Sequence, residues 1–527
     1  MLDIFRKIYL NSFLYNKKIF KISSKNLKYK PSAHLLSSIV NIQTKKFNIN
    51  EFSLETVWID KKLNEKQINK LNNFFWLFSL DLKSSNINVQ KIIKNWTEIN
   101  YKYNSKTWNF KTTSKRIISW LSNSRLSYDD SNEQYKIDFN YIIQKQAFHL
   151  LNQINTIKDD HDKLIGISAI ILVGLAYNDE KNLIIKGLDH LKKNIKSSLD
   201  AFGFPKSRNI NSAIFFLKHL ILIREWFKES QTEMPDFIDE NIFYLGQSYA
   251  FFWKNLNFDP LFNGNNISNN HEFDLYLKRL GYSFKNENYE FSNYVSLRNK
   301  KVNLIMDIGP SPNKKFSNKY QAGALSFEFV SNGKKILTNS GYFNKNINKL
   351  NDLSKSSAVH NVLVIDDNSS CKFKKSSNLE SEIKDGLKIT NKKIINEKNY
   401  WKINATHDGY LKKYKLFYER QIEFYPESNK LIGNEKLVGK KMLPNLKFDL
   451  RFHLDPSSKT MKTQDNKSIF IEFKDEGWKF TCENYEIDID NGFYFGKRNT
   501  YTENQNIFIS GITNTQNNYI KWELIKI

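Results

Sequence analysis

LIMDIGPSPNKKFSNKYQAGALSFEFVSNGKKILTNSGYF (304–343), followed by SKSSAVHNVLVIDDNSSCKF (354–373), decides how the whole chain is read. Short apolar runs of alternating character (LSFEF, KKILTNSG and HNVLVID) sit between clusters of Gly, Asn and Ser. In an extended chain successive side chains point to opposite faces. This spacing therefore predicts strands of a sheet with one buried face. His360 opens the strand HNVLVID just after a polar loop. An imidazole at a strand mouth can face a groove and exchange protons near neutral pH. Everything upstream of about residue 280 reads as helical, so this segment lies just past a junction between a helical and a β region.

Working outward, apolar residues recur every three or four positions in NVQKIIKNWTEINYKY (88–103), KTTSKRIISWLSNSRLSY (111–128), FNYIIQKQAFHLLNQINTI (139–157) and NSAIFFLKHLILIREWFKES (211–230). Gly, Asn, Asp and Pro mark the breaks,. IGISAIILVGLAY (165–177) is the most apolar run, but it is short and flanked by DDHDK and NDEK. It reads as a buried helix, and no transmembrane segment is expected. The sequence predicts an N-terminal arm over 1–84, a domain of helical hairpins over 85–280 and an antiparallel β-sandwich over 281–527. The aromatic stretch NNFFWLFSLDL (72–82) is expected to dock on the helical body.

The 527 residues suffice for two or three domains, and 40% of them are hydrophobic, which excludes a disordered chain,. The formal charge is +25, from 80 Lys+Arg against 55 Asp+Glu. Such an excess draws polyanions, but its Lys is spread over every segment and also reads as a compositional bias. Cys371 and Cys482 are too few for a disulfide framework, and a single bridge stays open,. The N-terminus has no small-residue cleavage site, so no signal peptide is readable. Nucleophile elbows, phosphate loops, dinucleotide fingerprints and zinc-protease motifs are absent, as are nucleic-acid modules; nucleic acid is not an expected partner.

Nine histidines are present. His149, His190 and His219 lie within helical patterns and read as structural. His360, His407 and His453 stand at or near strand ends with polar neighbours. Each alone reads as structural; together they could converge on one groove.

At this point a resemblance covers nearly the whole chain. WNFKTTSKRIISWLSN (108–123), GFPKSRNINSAIFFLKHLILIREW (203–226) and DPLFNG (259–264), then GALSFEF (323–329), SSAVHNVLVID (356–366), THDGYLKKY (406–414) and RFHLDP (451–456), are similar in order and spacing to the heparinase II/III-like family. The resemblance implies an (α/α) toroid joined to an antiparallel β-sandwich. It implies a polysaccharide lyase that cleaves beside a uronic acid by β-elimination, bacterial and of the cell envelope or periplasm; with no readable signal peptide, a cytoplasmic location is the alternative. The chemistry needs a group that neutralises the uronate carboxylate, a base for the C5 proton and an acid for the leaving oxygen.

The chain departs from the family where chemistry is concentrated. Aligned on LSFE, Lys319 and Gln321 stand where the resemblance implies a catalytic and a metal-binding histidine, and Gly323 where it implies an aspartate. Asn339 falls where a metal-binding aspartate is expected, and only His360 matches a ligand. Two amides and one imidazole make a poor zinc site, so no metal and no cofactor are expected. Phe215 and Phe216 lie near the position of the family's catalytic tyrosine. His360, His407 and Tyr410 are the candidates for proton transfer. Arg208, Asn209, Gln321, Arg451 and His453 are the candidates for substrate binding, Arg208 through its planar fork; helix capping by Ser207 and Asn209 is the equal alternative for that loop. The leading expectation is a lyase on an acidic polysaccharide held between the domains. The alternative is a relative of lost or altered activity that binds an anionic glycan during envelope polysaccharide assembly. Oligomeric state is left open.

Overall fold

The structure, a computed structural model, describes residues 2–19, 26–40, 63–81, 84–177, 181–254, 256, 258–268, 270–344, 349–375, 381–439, 445–513 and 519–527. The chain forms two compact units. The first holds Met1–Leu199, Ile214–Phe243 and His271–Tyr282; the second holds Asp200–Ala213, Tyr244–Asn270 and Ser283–Ile527.

The first unit is helical. Its helices start where a short polar side chain can accept from an otherwise orphaned N–H. Asn109 caps Phe110–Ser122 through Thr112 N at 3.0 Å, Asn132 caps Glu133–Gln153 through Tyr135 N at 2.9 Å, and Asp159 caps Asp160–Ala176 through Asp162 N at 2.8 Å. Residues Leu164 to Ala176 of the last helix are all buried. No helix among the described residues is long and apolar enough to cross a membrane. This helix packs on Lys181–Ser198 through reciprocal notches: a Cβ on Gly174 would sit 2.6 Å from Ile184, and one on Gly187 2.6 Å from Ile171. The aromatic stretch docks as its composition suggests. Phe74, Leu77, Phe78 and Leu80 are buried, and the Phe74 ring meets Trp120 edge-on at 5.0 Å.

The second unit is built from antiparallel strands. A five-stranded sheet runs in chain order from Glu290–Phe291 through Tyr294–Arg298, Val302–Asp307 and Phe327–Ser331 to Lys334–Leu337. An eight-stranded sheet is centred on Leu416–Tyr425, Lys430–Gly439 and Tyr519–Lys526, and a four-stranded sheet contains Lys447–His453 beside Leu363–Ile365. All three sheets feed one core, including Leu304, Phe329, Phe452, Trp478, Ile507 and Trp522. Each fully buried Phe or Leu there contributes about 1.5–3 kcal/mol relative to exposure. A smaller satellite core gathers Tyr320, Ala322, Ala324, Cys371, Ile383 and Leu387. Cys371 and Cys482 are both free and buried, the second in the main core.

Two segments that precede the strands belong to this second unit. Residues 200–213 and 244–270 are fixed to it by hydrogen bonds and an ion pair described below. The strand Phe327–Ser331 also differs from its expected half-buried form: all five residues are buried. The polar face is occupied by Glu328, whose carboxylate accepts from Thr338 Oγ1 at 2.8 Å, from the backbone N–H of Asn339 at 3.0 Å and of Leu261 at 3.2 Å, and from Lys335 Nζ at 3.1 Å.

Candidate functional site

The loop KSRN leads into the helix Ile210–Glu229, and the structure decides between its two readings in favour of capping. Asn209 Oδ1 accepts from Ser212 N at 2.9 Å, and its Nδ2 donates to Asn263 O at 2.7 Å. Arg208 adopts φ +60° and is buried. Its Nη2 lies 2.6 Å from Asp307 Oδ1, and its guanidinium lies 4.6 Å from the centre of the Tyr294 ring. Burial opposes the charge on Arg208, but Asp307, Tyr294 and Tyr320 together outweigh it, so the guanidinium's pKa is raised. Asp307 also accepts from Gly309 N at 2.9 Å and from Asn263 Nδ2 at 2.8 Å. The fork that was to grip a uronate thus closes a buried network within the second unit.

The sandwich candidates fall into two pairs. His407 and Tyr410 have ring centres 5.6 Å apart; the Tyr410 hydroxyl donates to Leu363 O at 2.8 Å, and His407 Nδ1 accepts from Gly409 N at 3.1 Å. His360 lies within electrostatic reach of His453. His453 Nε2 is 3.0 Å from Ala358 O. All four side chains are interior rather than on a groove; His360 and His407 are each 1% exposed. Burial drives the pKa of His360 and of His407 down to about 3 and that of His453 to about 4, and it raises that of Tyr410. Such imidazoles stay neutral at physiological pH. Arg451 is the exception in position. It is only partly buried, with Nη1 2.8 Å from Asp490 and 2.9 Å from Asn506 Oδ1.

The positions where the resemblance implies zinc do not fit a metal. Gln321 Oε1 accepts from Gly264 N at 2.9 Å and its Nε2 donates to Gly341 O at 2.9 Å, so the amide ties backbone segments together. Asn339 Oδ1 accepts from Asn361 N at 3.3 Å. Neither ring nitrogen of His360 has a hydrogen-bond partner among the described residues, and a Cβ on Gly323 would lie 2.8 Å from its ring. Only one donor of the three is an imidazole and none is a carboxylate or thiolate, too poor a set for zinc. Among the described residues no group of three or more His, Cys, Asp or Glu is placed to hold a metal.

Sequence reasoning missed two arrangements. In the sandwich, Arg420 and Glu435 are both fully buried and paired at 2.9 Å. Arg420 Nη1 donates to Leu325 O at 2.8 Å and to Asn361 O, and Trp522 Nε1 donates to Glu435 at 2.9 Å. Alternation places these residues on an inward face, but a charged side chain in that pattern gives no hint of its partner. In the helical unit, Phe215 lies between two imidazoles: the ring centres are 4.1 Å from His161, nearly parallel, and 4.2 Å from His219. His219 Nδ1 is 2.8 Å from Phe215 O. Lys115 Nζ lies 5.0 Å from the Phe75 ring centre and Lys218 Nζ 4.7 Å from that of Phe273. His161, Lys115, Phe215 and Lys218 are all partly exposed.

Residues 286–523 match the family described as heparinase II/III-like, C-terminal. No curated protein matches the chain in sequence. Among solved structures, a mutant of heparan sulfate lyase HepC from Pedobacter heparinus superposes with a TM-score of 0.70 at 12% identity, over 97% of this chain and 87% of that one. A crystal structure of heparinase III superposes at 0.66 with 15% identity, over 96% and 86%. A heparinase III gene product superposes at 0.66 with 14% identity, over 94% and 88%. These likenesses show the fold from end to end: helical toroid, then antiparallel β-sandwich. Residues 286–523 thus form a heparinase II/III-like C-terminal domain, and the chain as a whole shares the fold of these structures.

Proposed function

We propose that this protein binds an acidic, uronate-containing polysaccharide, and that binding rather than proton transfer by the sandwich residues is its task. The observation that carries this reading is the state of the candidate groups. The fold is that of glycosaminoglycan lyases, yet His360, His407, His453 and Tyr410 are interior and Arg208 is committed to Asp307. A proton-transfer group needs reach to the substrate and a pKa near the working pH; imidazoles at about 3 to 4 have neither. The basic charge of the chain suits the same ligand class,.

One observation favours elimination instead. His161 is partly exposed and stacked on Phe215, near the place of the family's catalytic tyrosine. In that reading His161 takes the C5 proton, a C4–C5 double bond forms, and the C4–O bond breaks with its electrons leaving on oxygen, which takes a proton from water. The unsaturated uronate absorbs in the near ultraviolet. The test measures absorbance and binding together on heparan, alginate, hyaluronan and bacterial exopolysaccharides. Saturable binding with no absorbance gain supports the binding reading, and turnover lost in His161→Ala replaces it with the second. Failure to bind any acidic glycan removes both.

A further inference from the structure

Between Asp3 and Glu51 the sequence has ten Lys and Arg and no acidic residue. The start of this stretch folds as two short helices, Leu2–Asn11 and Phe13–Lys18. One side of the pair is fixed to the helical unit. Leu10, Tyr15 and Ile19 are buried. The Tyr15 hydroxyl is 2.7 Å from His149 Nδ1, Arg6 Nη2 donates to Thr156 Oγ1 at 2.5 Å, and Asn16 Oδ1 accepts from Tyr103 N at 3.3 Å. The other side is open. Phe5, Ile8, Phe13 and Leu14 are 65, 63, 79 and 70% exposed, and Tyr9 is 43% exposed. Phe5, Ile8 and Tyr9 stand three and four residues apart, so they share one face of the first helix. Ser12 N and Ser12 Oγ both donate to Tyr9 O, at 3.0 and 2.7 Å, and the Tyr9 ring meets Tyr15 edge-on at 5.3 Å. A single tight turn therefore carries the chain into the second helix, and Phe13 and Leu14 begin beside Tyr9. Ten helical residues rise about 15 Å, so the five side chains fall within one patch of that length. Lys7, Lys17 and Lys18 are exposed around it.

We propose that the segment Phe5 to Lys18 lies on an anionic lipid bilayer, with Phe5, Ile8, Phe13 and Leu14 entering the boundary between headgroups and acyl chains and Lys7, Lys17 and Lys18 meeting lipid phosphates. Single exposed apolar side chains are ordinary on a protein surface, whereas a contiguous apolar patch marks a contact. Its charge decides the occupant. Lysine is depleted from protein interfaces, and a second copy of this segment would set lysine against lysine. An anionic bilayer offers apolar depth and negative charge together. The inner face is already bonded to the helical unit, so the segment meets the lipid without first having to order itself. No helix among the described residues is long and apolar enough to cross a membrane, so the contact is with one leaflet. The proposal is independent of the acidic-glycan reading.

The test is flotation of the full chain with vesicles, either phosphatidylcholine alone or phosphatidylcholine and phosphatidylglycerol in equal parts. Phe13→Gln and Leu14→Gln are compared with Ile185→Gln, which removes an equally exposed apolar side chain from the helix Lys181–Ser198; circular dichroism confirms that each variant is folded. The parent should float with the anionic vesicles and far less with the neutral ones. Lost apolar burial predicts a weakening of roughly tenfold for Phe13→Gln and for Leu14→Gln, and Ile185→Gln should bind as the parent does. Lys17→Gln and Lys18→Gln should each weaken binding by roughly fivefold, and added salt should weaken the parent further. Flotation of the Phe13→Gln/Leu14→Gln double variant as strong as the parent's would place the contact elsewhere and overturn the proposal. Equal binding to both vesicles would overturn the role given to charge. A parent that floats with neither vesicle overturns the proposal outright, and in that case self-association lost in the same double variant would assign the patch to a second copy instead.

Discussion

The two units hold their buried arginines in opposite ways. In the sandwich unit Arg208 and Arg420 each meet a carboxylate, at 2.6 and 2.9 Å, while the buried Lys355 donates to the carbonyls of Asn318 and Ser381. In the helical unit Arg116 is fully buried and meets only neutral groups among the described residues: Gln146 Oε1 at 2.9 Å, the carbonyls of Asn72 and Thr107 at 2.7 and 3.0 Å, and the Trp96 ring at 4.0 Å. Lys145 likewise donates to Tyr101 O at 2.7 Å and lies over that ring at 4.2 Å. Dipoles spread the support for a charge over several loops but do not cancel its field. A carboxylate does cancel it, and makes each partner depend on one other residue. The buried arginines of the sandwich are therefore neutralised and each depends on one partner, whereas Arg116 keeps its charge on support shared among several neutral groups.

The sharpest way to break this contrast is Glu435→Gln. It keeps the shape but strands Arg420 as an unpaired buried charge, which costs about 3–5 kcal/mol. Urea unfolding should show that loss, and a loss below about 1 kcal/mol would mean that Arg420 is held by carbonyls as Arg116 is. The counterpart is Gln146→Leu, which removes one of several neutral partners of Arg116. It should cost about 1.5–3 kcal/mol. A cost equal to that of Glu435→Gln would erase the distinction between the units.

Acid should weaken the sandwich more than the helical unit. Burial holds His360, His407 and His453 at about 3, 3 and 4, and His149 and His219 at about 3 and 4 in the helical unit. In the unfolded chain these imidazoles protonate near pH 6.5. The stability they contribute is therefore complete above that pH and is lost as pH falls toward their folded values. Each removes about 1.4 kcal/mol per pH unit in that window. Unfolding free energies between pH 7 and 5 should fall with a slope that His407→Phe flattens by that amount; an unchanged slope would refute the burial argument for that residue. The smallest effect belongs to His360→Leu. Its ring nitrogens have no partners, so the substitution should leave stability at pH 7 unchanged or raise it by about 1 kcal/mol, whereas His453→Leu, which breaks contacts to Ala358 O and Ser340 Oγ, should lower it.

Much of the fold was readable because periodicity follows burial. LFYERQIEFY (416–425) alternates buried and partly buried residues throughout, and IGISAIILVGLAY is buried on every face as its composition demands. The site was less readable for physical reasons. LSFEF alternates in sequence, yet Glu328 faces buried donors rather than solvent, and alternation cannot tell a wet polar face from a satisfied dry one. His360 stands after a polar loop, but that loop is a single turn, Ser357–Val359, folded inward. SRN could bind or cap, and only the position of Asp307, about a hundred residues on, decided the matter. The Phe215 stack joins residues from two helices, and no local pattern brings His161 to Phe215.

The two thiols of the sandwich offer a clock for its motions. Burial pushes the Cys371 thiol up to about 12 and also raises that of Cys482, so neither presents a reactive thiolate while its surroundings are closed,. One sits in the satellite cluster and the other in the main core. Their rates of modification by a small disulfide reagent then count two different openings: the satellite breathing on its own, and the central sheets parting. Without any engineered probe, the ratio of those rates reports whether this half of the molecule comes apart in one step or two.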